Sequence, residues 1–346
     1  MKKIFSLTLI VFVLISCKTK EIDAYYKVTF DNKGQKIDDE LLHKLNDRVK
    51  IATDQIVLKK DETKIAYYFE QDFDTNLIHS VILASMNLEF WHTYKNTEVG
   101  NSLYEELNQV LSDSLYPGSI SRFNELDSMS KTELSNEEEL INFRELSPLS
   151  AYLYPYANAE NQWMEGPILG YAKITDTAII NNYLKKEYVK ARIPRAMKLM
   201  WEMTSSSSSE KGIPLLCLYL IKKTYSGISL LNENHVIKAK QGVDPYTKKP
   251  IITLTFNNEG AIIWANMTEQ SATEESSIAM CLFGNVMSAP IASSRIEGGK
   301  TQITGGTFND ENGAKKVQSI STLINLGSLP KTLNLKSIEI IEKDGK

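Results

Sequence analysis

The chain has 346 residues, 42% of them hydrophobic, and a formal charge of −4. This is enough apolar material for packed cores in about two domains. The mildly acidic balance leaves no electrostatic footprint for nucleic acid, and the four histidines, His43, His79, His92 and His235, lack metal-ligand spacing.

At the N-terminus, Lys2 and Lys3 precede an apolar run from Ile4 to Ile15 that meets Ser16-Cys17. Crossing the hydrocarbon core takes about 20 apolar residues, so the short run with its positive start reads as a signal peptide over 1–16. Its end, Leu14-Ile15-Ser16-Cys17, resembles the lipobox of bacterial lipoproteins. That resemblance implies cleavage before Cys17, which then carries diacylglycerol and an N-acyl chain. An ordinary signal peptide with a chance cysteine is the alternative. Each buried methylene contributes about 0.8 kcal/mol, so several acyl chains make a durable membrane anchor, with 17–23 as the lipidated tether. Cleavage removes Lys2 and Lys3 and shifts the charge from −4 to −6. The longest later apolar run, Ile213 to Ile221, is interrupted by Pro214 and is too short to span a membrane.

Residues 24–95 read as β-α-β-β-α-β. Tyr26 to Phe30 alternates like a strand, and Asp38 or Asp39 can cap a helix with Leu41, Leu42, Leu45 and Val49 on one face. Ile56 to Leu58 and Ile65 to Phe69 are β-rich runs about a polar turn. Asp74 caps a second helix carrying Leu77, Ile78, Val81 and Ile82, and Leu88 to Tyr94 closes the series as an aromatic strand. The order is that of the ferredoxin-like split unit. The fold class is therefore α+β, a ferredoxin-like base followed by a mixed α+β head.

Residues 96–147 are polar and helical, with capping boxes at Ser102-x-x-Glu105 and Ser135-x-x-Glu138. Their stripes are Leu103, Leu107 and Leu111, then Leu140, Ile141 and Phe143. They read as an insertion or hinge. The head follows over 148–330. Gly166 to Ala172 is a glycine-bounded strand, Asp176 caps a helix to Leu184, and Ser205 to Ser209 is a flexible loop. Leu215 to Lys222, Val236 to Lys240 and Ile251 to Phe256 are strands, and Glu259 to Gln270 is a helix placing Ile262, Trp264 and Ala265 near a sheet. Ile278 to Leu282 and Val286 to Ala289 flank a tight hairpin at Phe283-Gly284-Asn285. Ala314 to Leu326 is a helix stopped at Gly327, and 331–346 returns to the base as a strand. Cys217 and Cys281, inside apolar runs, read as core thiols, with a disulfide as the alternative.

Three stretches carry a family resemblance: Leu254 to Ala261, Ile278-Ala-Met-Cys-Leu-Phe-Gly-Asn-Val-Met-Ser-Ala-Pro290 and Leu326-Gly-Ser-Leu-Pro330. In this order they resemble the head of the first periplasmic domain of SecD, the auxiliary subunit of the bacterial protein translocase. Leu88-Glu-Phe-Trp-His-Thr-Tyr94, Gly166 to Ala172 and Asp176 to Leu184 look like matching stretches of fused SecD–SecF proteins. His92 replaces a commonly acidic position. Phe283 stands where the family usually has aspartate, and Gly306 to Asn312 looks inserted.

No catalytic residue is found. The paired glycines lack the Lys-Ser/Thr of a phosphate loop, Ser288 is not in a nucleophile elbow, and Asn309 to Asn312 lacks calcium-loop spacing. The expectation is therefore a non-enzyme without metal or cofactor. The resemblance implies a lipid-anchored module that binds translocating or unfolded polypeptide, or docks to Sec translocase components. It implies no proton-driven motor, because that needs membrane carboxylates and the partner SecF. Phe283 at the hairpin tip is the candidate peptide contact, and packing against the helix is the alternative. The alternative function is a structural or scaffolding envelope lipoprotein reusing the fold. Lys18 after the cysteine, in place of an aspartate, favours the outer membrane over the inner.

Overall fold

The computed structural model describes residues 26–53, 57–69, 75, 78, 82–83, 87–118, 144–203, 207–208, 212–304, 308 and 313–341. The first half contains β1 (Tyr26–Asp31), α1 (Asp39–Ala52), β2 (Val57–Lys60), β3 (Lys64–Phe69), β4 (Glu89–His92), α2 (Asn101–Leu115), β5 (Tyr154–Pro155) and β6 (Ile168–Lys173). Then come α3 (Thr177–Leu184), α4 (Glu187–Lys190), β7 (Met197–Trp201), β8 (Ser207–Ser208), β9 (Pro214–Lys222), β10 (Leu231–Asn232), β11 (Val236–Val243) and β12 (Pro250–Phe256). The chain ends with α5 (Asn258–Glu274), β13 (Ile278–Leu282), β14 (Asn285–Ser288), β15 (Lys300–Ile303), α6 (Gly313–Leu326) and β16 (Asn334–Ile340). The α+β class holds, and the chain divides into two units, 1–86 with 326–346, and 87–325.

In the first unit, Asp38 accepts the Leu41 N–H at 2.8 Å and starts α1, whose Leu41, Leu45 and Val49 are buried. Asp61 accepts from the N–H groups of Thr63 and Lys64 and tightens the β2–β3 turn. The antiparallel sheet has the order β16-β1-β3-β2. This is the ferredoxin-like order, with one difference from the sequence reading: the fourth strand is β16, and 88–94 belongs to the second unit. The reason lies in burial. Leu88, Phe90, Trp91 and Thr93 are all buried, so β4 is covered on both faces. The vacant place beside β1 is an edge with a wet face, which β16 suits, its residues being exposed or only half-buried. Of the expected second helix, Ile78 and Ile82 are fully buried, while Leu77 and Val81 lie outside the described residues. Arg48 is fully buried, and its Nη1 and Nη2 donate to the carbonyls of Ile82 (3.1 Å) and Gly327 (2.6 Å). Desolvation pulls its guanidinium down to about 10.

Among the described residues the second unit has three more sheets, β10-β4-β13-β14, β11-β12-β15, and β5-β6-β9-β7 with β8 on β9. The unit boundary at 86/87 takes in α2, which the sequence reading assigned to an insertion. Its stripe Leu103, Tyr104, Leu107 and Leu111 packs with Leu149, Leu153, Leu169 and Leu218 in one core. The expected capping box is not formed. A π-helical turn over Asn96–Gly100 feeds α2, Gly100 occupies the cap position, and Ser102 bonds back to the Val99 carbonyl. Likewise Asp176 makes no cap for α3, because the 3-10 turn Ile174–Asp176 already satisfies that start. Asn257 caps α5 through the Gly260 N–H at 2.8 Å. Trp264 and Ala265 face inward, but Ile262 points to solvent. Phe90, Phe256 and Trp264 pack as an aromatic trio with centroids 5.6–5.9 Å apart. Ser135, Glu138, Leu140 to Phe143 and Asn309 to Asn312 lie outside the described residues.

Candidate functional site

The candidate site is the β13–β14 hairpin of the second unit. All five residues of β13 are buried, and the strand lies between β4 and β14 with Ala279 opposite Trp91 and Met280 opposite Phe90. On the far side of β14 the Met203 N–H donates to the Val286 carbonyl at 2.8 Å. The tip is therefore set on a sheet fixed from both sides.

The turn itself has two residues, since Leu282 pairs with Asn285. Phe283 and Gly284 both take positive φ, 53° and 76°. Positive φ at both positions is the type I′ arrangement, whose twist matches the strands and which favours Asn-Gly or Asp-Gly. Glycine is well suited to the second position; phenylalanine at the first is not. A bulky L-residue held left-handed costs roughly 1–2 kcal/mol. The half-buried Phe283 thus carries its ring at a position folding would give to asparagine. Asn285 steadies the turn by donating its amide to the Phe283 carbonyl at 3.2 Å.

Behind the hairpin a charged pair, Glu89 and Lys198, contacts the buried Trp91. Its indole N–H donates to Glu89 at 3.0 Å, Lys198 lies 3.4 Å from the same carboxylate, and the Lys198 ammonium sits 3.9 Å from the Trp91 ring centroid. His92 is half-buried and its pKa is lowered, first by burial, with Lys222 adding to the effect and Glu274 opposing it. Cys217 and Cys281 are free thiols on β9 and β13, each pushed up to about 12 chiefly by burial. A thiol held so far above neutrality is a poor nucleophile at physiological pH.

A concavity of about 390 Å³ opens between α2 and the segment from Leu146 to Trp163. Asn108 on its wall is committed to the fold, accepting from the N–H groups of Leu149 and Ser150 and donating to the Ser150 hydroxyl. Among the described residues no cluster of three His, Cys, Asp or Glu side chains could hold a metal ion, and no helix is long and apolar enough to cross a membrane. Cys17 lies outside the described residues. The Glu89–Trp91–Lys198 trio was not anticipated, because Lys198 lies 109 positions from Glu89 and on a strand of another sheet.

Residues 209–331 match the family model described as SecDF, P1 head subdomain. Protein translocase subunit SecD of Rhodothermus marinus is 29% identical over 192 residues, 56% of this chain and 28% of that protein. SecD of Acidaminococcus fermentans is 31% identical over 140 residues, 40% of this chain and 32% of that protein. The chain thus spans about a third or less of these relatives. Among solved structures, SecDF in its super-membrane-facing form covers 91% of this chain at 16% identity with a TM-score of 0.38. It is matched over 30% of its own length. A SecDF component that enhances protein export covers 91% at 15% identity with a TM-score of 0.35, and is itself matched over 100%. The resemblance to a SecD periplasmic domain is borne out, and the matched segment contains Ile278 to Pro290 and the hairpin.

Proposed function

We propose that this chain is a lipid-anchored, SecD-like module of protein export that holds extended polypeptide passively, with Phe283 as a contact and Cys17 as the lipid attachment. The observation that carries the reading is the phenylalanine at the left-handed position of the β13–β14 turn. Strain kept at one half-buried residue in the turn of an otherwise well-determined hairpin is the kind that accompanies binding sites. An aromatic ring on a fixed tip offers an extended chain apolar contact at little entropy cost. The similarity of residues 209–331 to the SecDF P1 head supports a role beside the translocase. The reading places the module facing the periplasm, tethered to the outer membrane, and assigns it no catalytic step.

A photoreactive amino acid at position 283 of the lipidated protein, irradiated in growing cells, tests this reading. Crosslinks to nascent secreted chains or translocase subunits are expected. Capture of envelope proteins unrelated to export, from correctly folded protein, would overturn it in favour of a scaffolding lipoprotein.

A further inference from the structure

The β11–β12 hairpin has a charge and a surface that the hairpin at Phe283 does not. From Val236 to Pro250 it carries four lysines, Lys238, Lys240, Lys248 and Lys249, against a single aspartate, in a chain whose formal charge is −4. All four are exposed, and among the described residues none is in an ion pair. Its tip is also apolar, with Tyr246 91% and Val243 62% exposed. The loop holding them is fixed. Asp244 accepts from the Tyr246 and Thr247 N–H groups at 3.0 and 2.6 Å and from the Thr247 hydroxyl at 2.9 Å. The Asp244 N–H closes the turn on the Lys249 carbonyl at 2.9 Å.

We infer that this tip docks on an anionic lipid surface. An aromatic ring suits the headgroup boundary, where its polar end stays wet while its body is buried. Lysines beside it extend their stems along that boundary and place their ammonium groups among anionic headgroups. The tip's outward apolar side chains sit on a loop already fixed by hydrogen bonds, which loses little freedom on contact. The inference is independent of capture at Phe283.

The test uses the full chain with an environment-sensitive fluorescent amino acid at position 246, or at the fully exposed position 225 as control. Emission at 246 is expected to shift to the blue with phosphatidylcholine vesicles containing phosphatidylglycerol. No shift is expected with phosphatidylcholine alone, nor at 225 with either vesicle. Each Lys→Gln change at 238, 240, 248 or 249 is expected to weaken the response about fivefold at low salt, and all four to abolish it. No shift at 246 with anionic vesicles, or an equal shift at 225, overturns the inference. A shift at 246 with polyglutamate but not with vesicles also overturns it, by giving the hairpin to an acidic polypeptide.

Discussion

Phe283 sets a side chain's use against the cost of its backbone. Asparagine adopts φ near +50° readily, so Phe283→Asn relieves the turn while removing the ring. The variant is expected to be as stable as the parent or about 1 kcal/mol more stable, and to lose its ability to hold an unfolded client. Urea titration and suppression of client aggregation check the two halves. A clear loss of stability would instead make the ring a packing element. The thiols yield a pH dependence. Cys217 and Cys281 sit at about 12 in the folded chain, above the ordinary thiol value. The unfolded chain therefore gives up these protons first. Their contribution to stability is complete below about pH 9 and is lost as the pH rises from about 9 to about 12. Denaturation series at pH 7, 9 and 11 should show the decline, and the double change Cys217→Ala and Cys281→Ala should flatten it. An unchanged slope would assign the effect to tyrosines such as Tyr219, also pushed up by burial.

At the scale of elements, Asn325 on α6 receives the Ala239 N–H and donates to the Ala239 carbonyl, both at 2.8 Å. Its amide imitates a neighbouring strand at one point on the open side of β11, which among the described residues otherwise pairs only with β12. Asn325→Ala should cost about 1 kcal/mol and raise self-association through that edge, measured by denaturation and light scattering. Unchanged scattering would show that the edge is guarded by other means. This amide was invisible in the sequence because its partner lies 86 positions away. Local patterns were legible: the stripe of α1, the stripe of α2, the Phe283-Gly284 turn and the Gly327 stop all follow from spacing and residue type. Destinations were not. Period two marks 88–94 as a strand but does not say which sheet receives it, and only the burial of both its faces decides. The cap at Ser102 failed for a related reason, since the helix had already begun through the turn at Asn96–Gly100. The lysines of the β11–β12 hairpin were readable as residues, but their exposure beside Tyr246 was not.

At the scale of the molecule, the first unit is assembled from both ends of the described chain. β16 pairs with β1 from Tyr26 opposite Ile340 to Asp31 opposite Asn334, and Leu333 joins the same core. Removing residues 334–346 strips β1 of one neighbour. It should abolish the calorimetric transition of the first unit while leaving that of 87–325 in place. Survival of both transitions would mean that β2, β3 and β1 suffice with α1. The pairing also imposes a sequence of events. A chain made from its N-terminus presents β1 before β16. One side of the first strand must wait, unpaired, while the whole of 87–325 passes. Completion of the first unit thus reports arrival of the C-terminal strand, and a chain interrupted before residue 334 carries its own mark of incompleteness, an open edge at its beginning.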